Sequence, residues 1–192
     1  MKPGGRRQRK GQGDRGPGPS TPTSLRGASK HFLVVVSRQR RVPVDVRDYH
    51  RLLRRLLSLT RRPTAVVGLL FVNDPQMRRM NRHYRRIDRP TDVLAFPAVS
   101  TGRVGTPVVL GDVVISIDTA RRQARQAGAA LRDECRRLLI HGYLHLLGYD
   151  HERSRREAVR MRRLERRLET RLTERSMIRP GHTMIGRRRR TL

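Results

Sequence analysis

The sequence is short of the residues that stabilise secreted and membrane proteins. Its 192 residues include one cysteine, no tryptophan and only seven other aromatic residues. A lone thiol cannot form an internal disulfide, so we expect a reducing, cytoplasmic environment. No apolar run approaches the roughly 18 residues that a membrane-spanning helix needs, and no apolar signal segment follows the charged N-terminus. We therefore expect no membrane partner and a core built mainly from Leu, Val and Ile.

Acidic residues are also scarce, which leaves a strongly basic chain. Sixteen Asp and Glu residues stand against 45 Lys and Arg residues, so the formal net charge is +29. Nearly all of the basic residues are arginines, because lysine occurs only at positions 2, 10 and 30. A general compositional bias toward arginine explains part of this charge. Its size nevertheless indicates a polyanionic partner, and nucleic acid is the foremost candidate.

The basic residues are spread over two tails and a central domain. Residues 1–30 carry a net charge of +7 and are rich in Gly, Pro, Ser and Arg. They cannot bury enough apolar surface to offset ordering, so we predict a disordered basic tail. Residues 176–192 carry +5 and form a second basic tail. Residues 31–175 keep the remaining +17, and we predict that they form one domain.

Apolar periodicity divides this domain into strands and helices. Short apolar runs predict four strands, at residues 32–36, 65–72, 93–96 and 112–117. Capping residues and a 3.6-residue period predict about five helices. Four of them lie at residues 45–59, 73–84, 131–147 and 154–172. The other begins at a cap, either Ser116 or Asp118, and ends at Gly128. The single cysteine, Cys135, points away from the nearby histidines and is interpreted as a core residue. Such a pattern suits one α/β or α+β domain.

Three histidines within eleven positions are the strongest chemical signal. His141 and His145 are four residues apart on one predicted helix, so their side chains lie on the same face within reach of one ion. Gly148 can end that helix in a left-handed conformation, after which the chain can turn back and offer His151. Three neutral imidazoles suit Zn²⁺ with a fourth, open position, as in catalytic zinc sites. We predict one Zn²⁺ per chain, bound by these three histidines.

The same histidine spacing occurs in the metzincin proteases, whose motif is His-Glu-x-x-His-x-x-Gly-x-x-His. In those enzymes the glutamate activates the zinc water and transfers protons. Here Gly142 stands at that position, and Asp150 and Glu152 leave from the turn instead of the helix face. A zinc metalloprotease is therefore the less favoured enzyme.

Three sequence blocks together resemble the YbeY endoribonucleases, also called rRNA maturation factors. The block HGYLHLLGYDH at 141–151 looks like the histidine signature of that family. The block NRHYRRIDRPTDVLAFP at 81–97 looks like its segment around a functional arginine, and LGDVVISID at 110–118 looks like its next strand. The blocks follow the family's order, and the resemblance covers about residues 32–175. It is more specific than the histidines alone.

The resemblance implies a fold and a function. The fold is α+β, with a small mixed four-stranded sheet surrounded by about five helices and the zinc site on a central helix. The function of residues 31–175 is that of a single-strand-specific, metal-dependent endoribonuclease. The family acts in ribosome quality control and in rRNA maturation, notably at the 3′ end of small-subunit RNA. The implied partners are single-stranded RNA, an rRNA precursor and the small ribosomal subunit.

The resemblance also assigns site residues. Arg85 falls on the family's functional arginine, and a guanidinium can bind phosphate oxygens through two parallel hydrogen bonds. We assign catalysis to Arg85 and His141, and RNA binding to Arg85, Arg86 and Arg89. Two positions depart from the family, which usually has Gly at Arg86 and Ser at Ala95. Arginines of the last helix, at 162, 163, 166 and 167, are interpreted as a solvated face.

Three functions stay open at this point. The first is the metal-dependent ribonuclease and the second is the metalloprotease. The third is a non-catalytic assembly factor, in which zinc only stabilises the fold and the charge binds rRNA. The ribonuclease and the assembly factor would use the same basic surface, so the sequence does not separate them. For a ribonuclease, we expect water and not the 2′-hydroxyl to attack, because the histidines best placed as bases are predicted ligands.

Overall fold

The domain is described by a computed structural model that covers most of the central part of the chain. The predicted disordered tail at residues 1–30 and the arginine run at 187–190 lie outside the described residues. The structure describes residues 32–39, 42–62, 64–99 and 107–177, the side chains of the last four excepted.

The strands form one mixed sheet. Three of them are parallel and lie side by side, and the remaining strand is antiparallel to its neighbour at one edge. In chain order they are β1 (Phe32–Ser37), β2 (Ala65–Val72), β3 (Val93–Pro97) and β4 (Val108–Ser116). The order across the sheet is β1-β2-β4-β3. The predicted mixed four-stranded sheet is thus confirmed.

Five helices surround this sheet in the described part of the chain, which confirms the predicted α+β class. They are α1 (Val46–Leu59), α2 (Asp74–Arg85), α3 (Ile117–Gln126), α4 (Leu131–Leu146) and α5 (Arg155–Met177). Helices α1, α4 and α5 contribute to the large core on one face of the sheet, and α2 covers part of the other face. No helix in the described ranges is long and apolar enough to cross a bilayer.

The core depends on the alternation of β2 and on α4, in which nine of sixteen residues are buried. Every second residue of β2 from Ala65 to Phe71 is buried on the side of α1 and α4. Helix α4 is packed on several sides, and its apolar residues Leu138, Leu139 and Tyr143 are fully buried. Each such leucine contributes about 1.5–3 kcal/mol. The prediction that Cys135 is a core residue is confirmed, and burial raises the pKa of its thiol to about 11.

The start of β4 and the cap of α3 could be assigned only from the structure of the sheet. Strand β4 begins at Val108, four residues before the predicted start, because Val108 and Val109 pair with β2 ahead of a register shift. Gly111 follows the shift with φ of 119°. A Cβ there would lie 2.0 Å from the carbonyl oxygen of Phe96, so the glycine lets β3 approach. At the end of β4, Ser116 and not Asp118 caps α3.

Helix α2 ends on an arginine in a left-handed conformation. Arg86 has φ of 62° and donates its backbone N–H to the carbonyl oxygen of Asn81. A residue with a Cβ is disfavoured in this region by roughly 1–2 kcal/mol, whereas glycine adopts it freely. A glycine at this helix end would therefore relieve the backbone strain that Arg86 carries.

Replacing this arginine by glycine should stabilise the domain. We expect Arg86→Gly to raise the free energy of unfolding by about 0.5–1 kcal/mol, after the entropic cost of glycine is subtracted. The control is Arg79→Gly on the exposed side of α2, which should lower it by about 1 kcal/mol. Urea denaturation measures both. A loss of stability in Arg86→Gly would contradict the assigned backbone strain.

Candidate metal centre

The three histidines predicted from the sequence lie together where α4 ends. The Nε2 atoms of His141 and His145 are 3.2 Å apart. One ring nitrogen from each of His141, His145 and His151 lies within 4.8 Å of the other two. Around a tetrahedral zinc with Zn–N bonds of about 2.0–2.1 Å, neighbouring nitrogens are about 3.3 Å apart. The nitrogens of His141 and His145 therefore already have the spacing of two zinc ligands. The nitrogen of His151 is close enough to be the third ligand.

The turn after α4 brings the third histidine back toward the helix. Gly148 has φ of 87°, and its N–H donates to the carbonyl oxygen of His145 at 3.0 Å. The N–H of Tyr149 donates to Leu144 O at 3.1 Å, which closes the helix end. Asp150 then accepts a hydrogen bond from the N–H of Glu152 at 2.9 Å. The predicted helix-ending role of Gly148 is confirmed.

A carboxylate on α5 orients the first histidine, and sequence reasoning missed it. Nδ1 of His141 lies 2.7 Å from Oε1 of Glu165. When Nδ1 carries the proton and donates to this carboxylate, Nε2 has a free lone pair that points at the other histidines. The sequence carried no signal that singled out this residue, because α5 contains four glutamates, at positions 157, 165, 169 and 174.

The electrostatics of this pair favour an ionised carboxylate. Burial would raise the pKa of Glu165, but the hydrogen bond from His141 and the charges of His141 and Arg137 outweigh it and lower the pKa. Burial also lowers the pKa of His145, and the charges of His141 and His151 add to the effect. His145 is therefore held in the neutral form, which is the form that binds a metal ion.

A cleft of about 640 Å³ opens beside the histidines. Its walls are the C-terminal end of α2, strand β3 and the turn from Gly148 to Arg153. Arg85 lines it, and its guanidinium lies 3.6 Å from Oε1 of Glu152, with 49% and 67% of the two side chains exposed. This long, solvent-exposed ion pair is weak. The guanidinium of Arg85 is therefore available to an anion in the cleft.

The other predicted RNA-binding arginines lie elsewhere. Arg86 and Arg89 are exposed, and neither side chain lines the cleft. The cleft wall instead includes Asp92, whose carboxylate accepts hydrogen bonds from Gln123, Val93 and Thr91. Burial would raise the pKa of Asp92, and these hydrogen bonds outweigh it and lower the pKa. Asp92 is thereby fully engaged in fixing the start of β3.

Gly142 is where α4 touches the sheet. A Cβ at this position would lie 2.7 Å from Cγ1 of Val113 and 3.2 Å from Cγ2 of Val93. A glutamate therefore does not fit here unless the side chains of Val113 and Val93 are pushed aside. The place of the protease general base is closed by packing, which argues against a metalloprotease of the metzincin kind.

Comparisons with known sequences place this chain in one protein family. The family model described as Endoribonuclease YbeY matches residues 35–173. An Endoribonuclease YbeY of Geobacter metallireducens is 40% identical over 139 residues, which are 71% of this chain and 92% of the relative. An Endoribonuclease YbeY of Aquifex aeolicus is 48% identical over 99 residues, which are 52% of this chain and 65% of the relative.

A solved structure shares the fold. The solution structure of a protein from Thermotoga maritima superposes with a TM-score of 0.54 at 22% sequence identity. The match covers 81% of this chain and all of that protein. At this identity the likeness supports the architecture only.

The hydrogen bond from His141 to Glu165 predicts a change in metal affinity. Glu165→Gln should weaken zinc binding by about 10–100-fold, because an amide holds the histidine tautomer less firmly than a carboxylate does. Glu169→Gln is the matched control, one turn further along α5 and without a hydrogen bond to the described histidines. Competition with a chromophoric chelator gives the affinities, and His145→Ala should lose most of its zinc. Equal affinities for the two glutamine variants would refute the role of Glu165.

Proposed function

The chain belongs to the YbeY endoribonuclease family, and from this premise we propose that it is a zinc-dependent endoribonuclease that cleaves single-stranded RNA. One observation carries the proposal: His141, His145, His151 and Arg85 line the same cleft. A clustered donor set and an available cation beside it are what hydrolysis of a phosphodiester requires.

We assign one Zn²⁺ per chain to the three histidines. Their nitrogen spacing and the contact of His141 Nδ1 with the Glu165 carboxylate support this assignment. When bound, zinc supplies a Lewis acid that polarises oxygen at neutral pH. Three histidine ligands would suit a catalytic zinc ion, whereas a structural zinc is usually held by four protein ligands. His141 takes part in catalysis as one of these ligands, with Glu165 holding its ring.

Arg85 is the residue that we expect to bind the scissile phosphate. Its guanidinium stands at the cleft wall and exchanges the weak contact to Glu152 for a phosphate. An arginine can donate two hydrogen bonds to phosphate oxygens and stabilise the charge that develops during cleavage. Arg86 and Arg89, exposed outside the cleft, would bind flanking phosphates and so add affinity more than rate.

The biological role that we propose is maturation of ribosomal RNA in the cytoplasm. The family and the net charge of +29 support an rRNA precursor and the small ribosomal subunit as partners. The processing of the 3′ end of small-subunit RNA and the quality control of ribosomes are the specific tasks to test. A flexible single strand can reach a concave site in which a stiff duplex does not fit, which favours unpaired RNA as the substrate.

The first experiment is cleavage of a labelled single strand by the purified chain. We expect His141→Ala to abolish cleavage, and Arg85→Ala to keep zinc and fold but lose about 10²-fold or more in rate. Arg82→Ala is the control, since Arg82 is an exposed arginine of the same helix that does not line the cleft. Tight RNA binding by the wild type without any cleavage would favour the non-catalytic assembly factor. An unchanged rate in Arg85→Ala would show that Arg85 is an ordinary surface arginine with no part in cleavage.

The second experiment distinguishes the two possible nucleophiles. Attack by the 2′-hydroxyl of RNA needs a base, and the imidazoles best placed for that role form the proposed donor set. Asp92 accepts three hydrogen bonds and Asp150 pairs with Arg153, so Glu152, whose contact with Arg85 is weak, is the one of these three carboxylates that could compete as a base. We therefore expect a water molecule to attack. A single 2′-deoxy substitution at the scissile nucleotide should still permit cleavage, and a 2′,3′-cyclic phosphate product would show the opposite.

A further inference from the structure

A second concave surface runs along α5 and is lined by arginines. The groove has a volume of about 1010 Å³. Its charged lining consists of five arginines and one carboxylate, that of Glu157. The five arginines are Arg155, Arg156, Arg160, Arg163 and Arg167. A concave surface with one sign of charge concentrates its field and attracts anions more strongly than a flat one.

This arginine groove continues from the cleft of the metal centre. Tyr149 lines both cavities, so the two surfaces share a wall. On the groove side, the guanidinium of Arg160 lies over the Tyr149 ring, 5.3 Å from its centroid. The arginine groove is therefore the cavity that adjoins the cleft at Tyr149.

The spacing of the arginines suits an extended polyanion. Arg156, Arg160, Arg163 and Arg167 follow one another by three or four residues and so form one stripe along the helix. The stripe extends over about 16 Å of helix. The ion pair between Arg160 and Glu157 is long, with 3.7 Å between the guanidinium nitrogen and the carboxylate oxygen. Within the described ranges, no carboxylate lies within 4.0 Å of the guanidinium of Arg163 or Arg167.

We propose that the arginine groove is a second subsite, which binds the phosphates of the RNA strand flanking the scissile position. This inference rests on the proposed function, because it takes single-stranded RNA as the ligand. Strand phosphates are the polyanion that a row of unneutralised guanidinium groups binds. The groove therefore increases affinity for long strands, whereas the cleft alone binds short ones.

Helix α5 offers a matched pair of variants for the test. Arg163→Gln with Arg167→Gln removes two charges from the groove. Arg162→Gln with Arg166→Gln removes two charges with the same spacing from exposed positions that do not line the groove. Because the loss of overall charge is equal, a difference between the two double variants isolates the groove contacts. Glutamine keeps part of the aliphatic stem and the helix propensity.

Binding is measured separately from cleavage. Fluorescence anisotropy with the full chain carrying His141→Ala reports binding to single strands of about 20 and about four nucleotides. For the long strand at about 0.1 M salt, the groove variant should bind roughly tenfold more weakly than the control variant, and its salt slope should fall by about 1.4. With His141 intact, KM for the long strand should rise while kcat stays unchanged. The short strand should not distinguish the two variants.

The outcomes separate this inference from the proposed function. If both double variants lose binding equally, or if the short strand is affected as strongly as the long one, the subsite is refuted. If the wild type cleaves RNA and the groove variant behaves like the control, the proposed function stands and the subsite does not. If the groove variant alone loses binding but no protein cleaves RNA, the subsite stands and the catalytic proposal fails.

Discussion

The contact between α4 and the sheet at Gly142 is the constraint on which the site depends. Cγ1 of Val113 lies 2.7 Å from where a Cβ would stand, so any larger residue would have to push this valine side chain or the helix aside. The contact holds this part of α4 against the sheet, and the last two turns of the helix present His141 and His145 to the cleft beside β3. Since buried interiors are close-packed, a small shift of α4 would move both imidazoles together. The geometry of the histidine cluster therefore depends on the packing of the core in this domain.

Helix α5 connects the metal centre to the charged surface. Its inner side carries Glu165, which hydrogen-bonds His141, and the buried Met161 and Leu168 that hold it on the core. Its outer side carries the arginine groove. One amphipathic helix therefore positions a histidine ring and presents cations to solvent. Because these two surfaces belong to one rigid element, a strand bound along the groove is held at a fixed position relative to the histidines.

The scarcity of acid in this chain has a structural consequence. Several of the carboxylates are engaged inside the fold. Asp74 accepts hydrogen bonds from Ser116, Thr119 and Arg122. Burial would raise the pKa of Asp74, but these hydrogen bonds outweigh burial and lower the pKa. Asp92 and Glu165 are engaged in the same way beside the cleft. Other carboxylates pair with surface arginines, as Asp88 does with Arg78 and Asp133 with Arg136, but sixteen acidic residues cannot neutralise 45 basic ones. The excess charge therefore faces solvent, where it can bind a polyanion.

The sequence by itself determined the features that depend on neighbours along the chain. The four-residue spacing of His141 and His145, the helix end at Gly148 and the apolar alternation of β2 are local patterns, and the strands, helices and histidine cluster follow from them. Tertiary structure alone decided which distant residues meet. Glu165 lies 24 positions from His141, β4 starts early because it pairs with β2, and Arg163 and Arg167 line a groove that Arg162 and Arg166 do not. Periodicity shows which face of a helix is buried, but the partner of each face is fixed only when the elements pack, because side-chain contacts act over a few ångströms in space and not along the sequence.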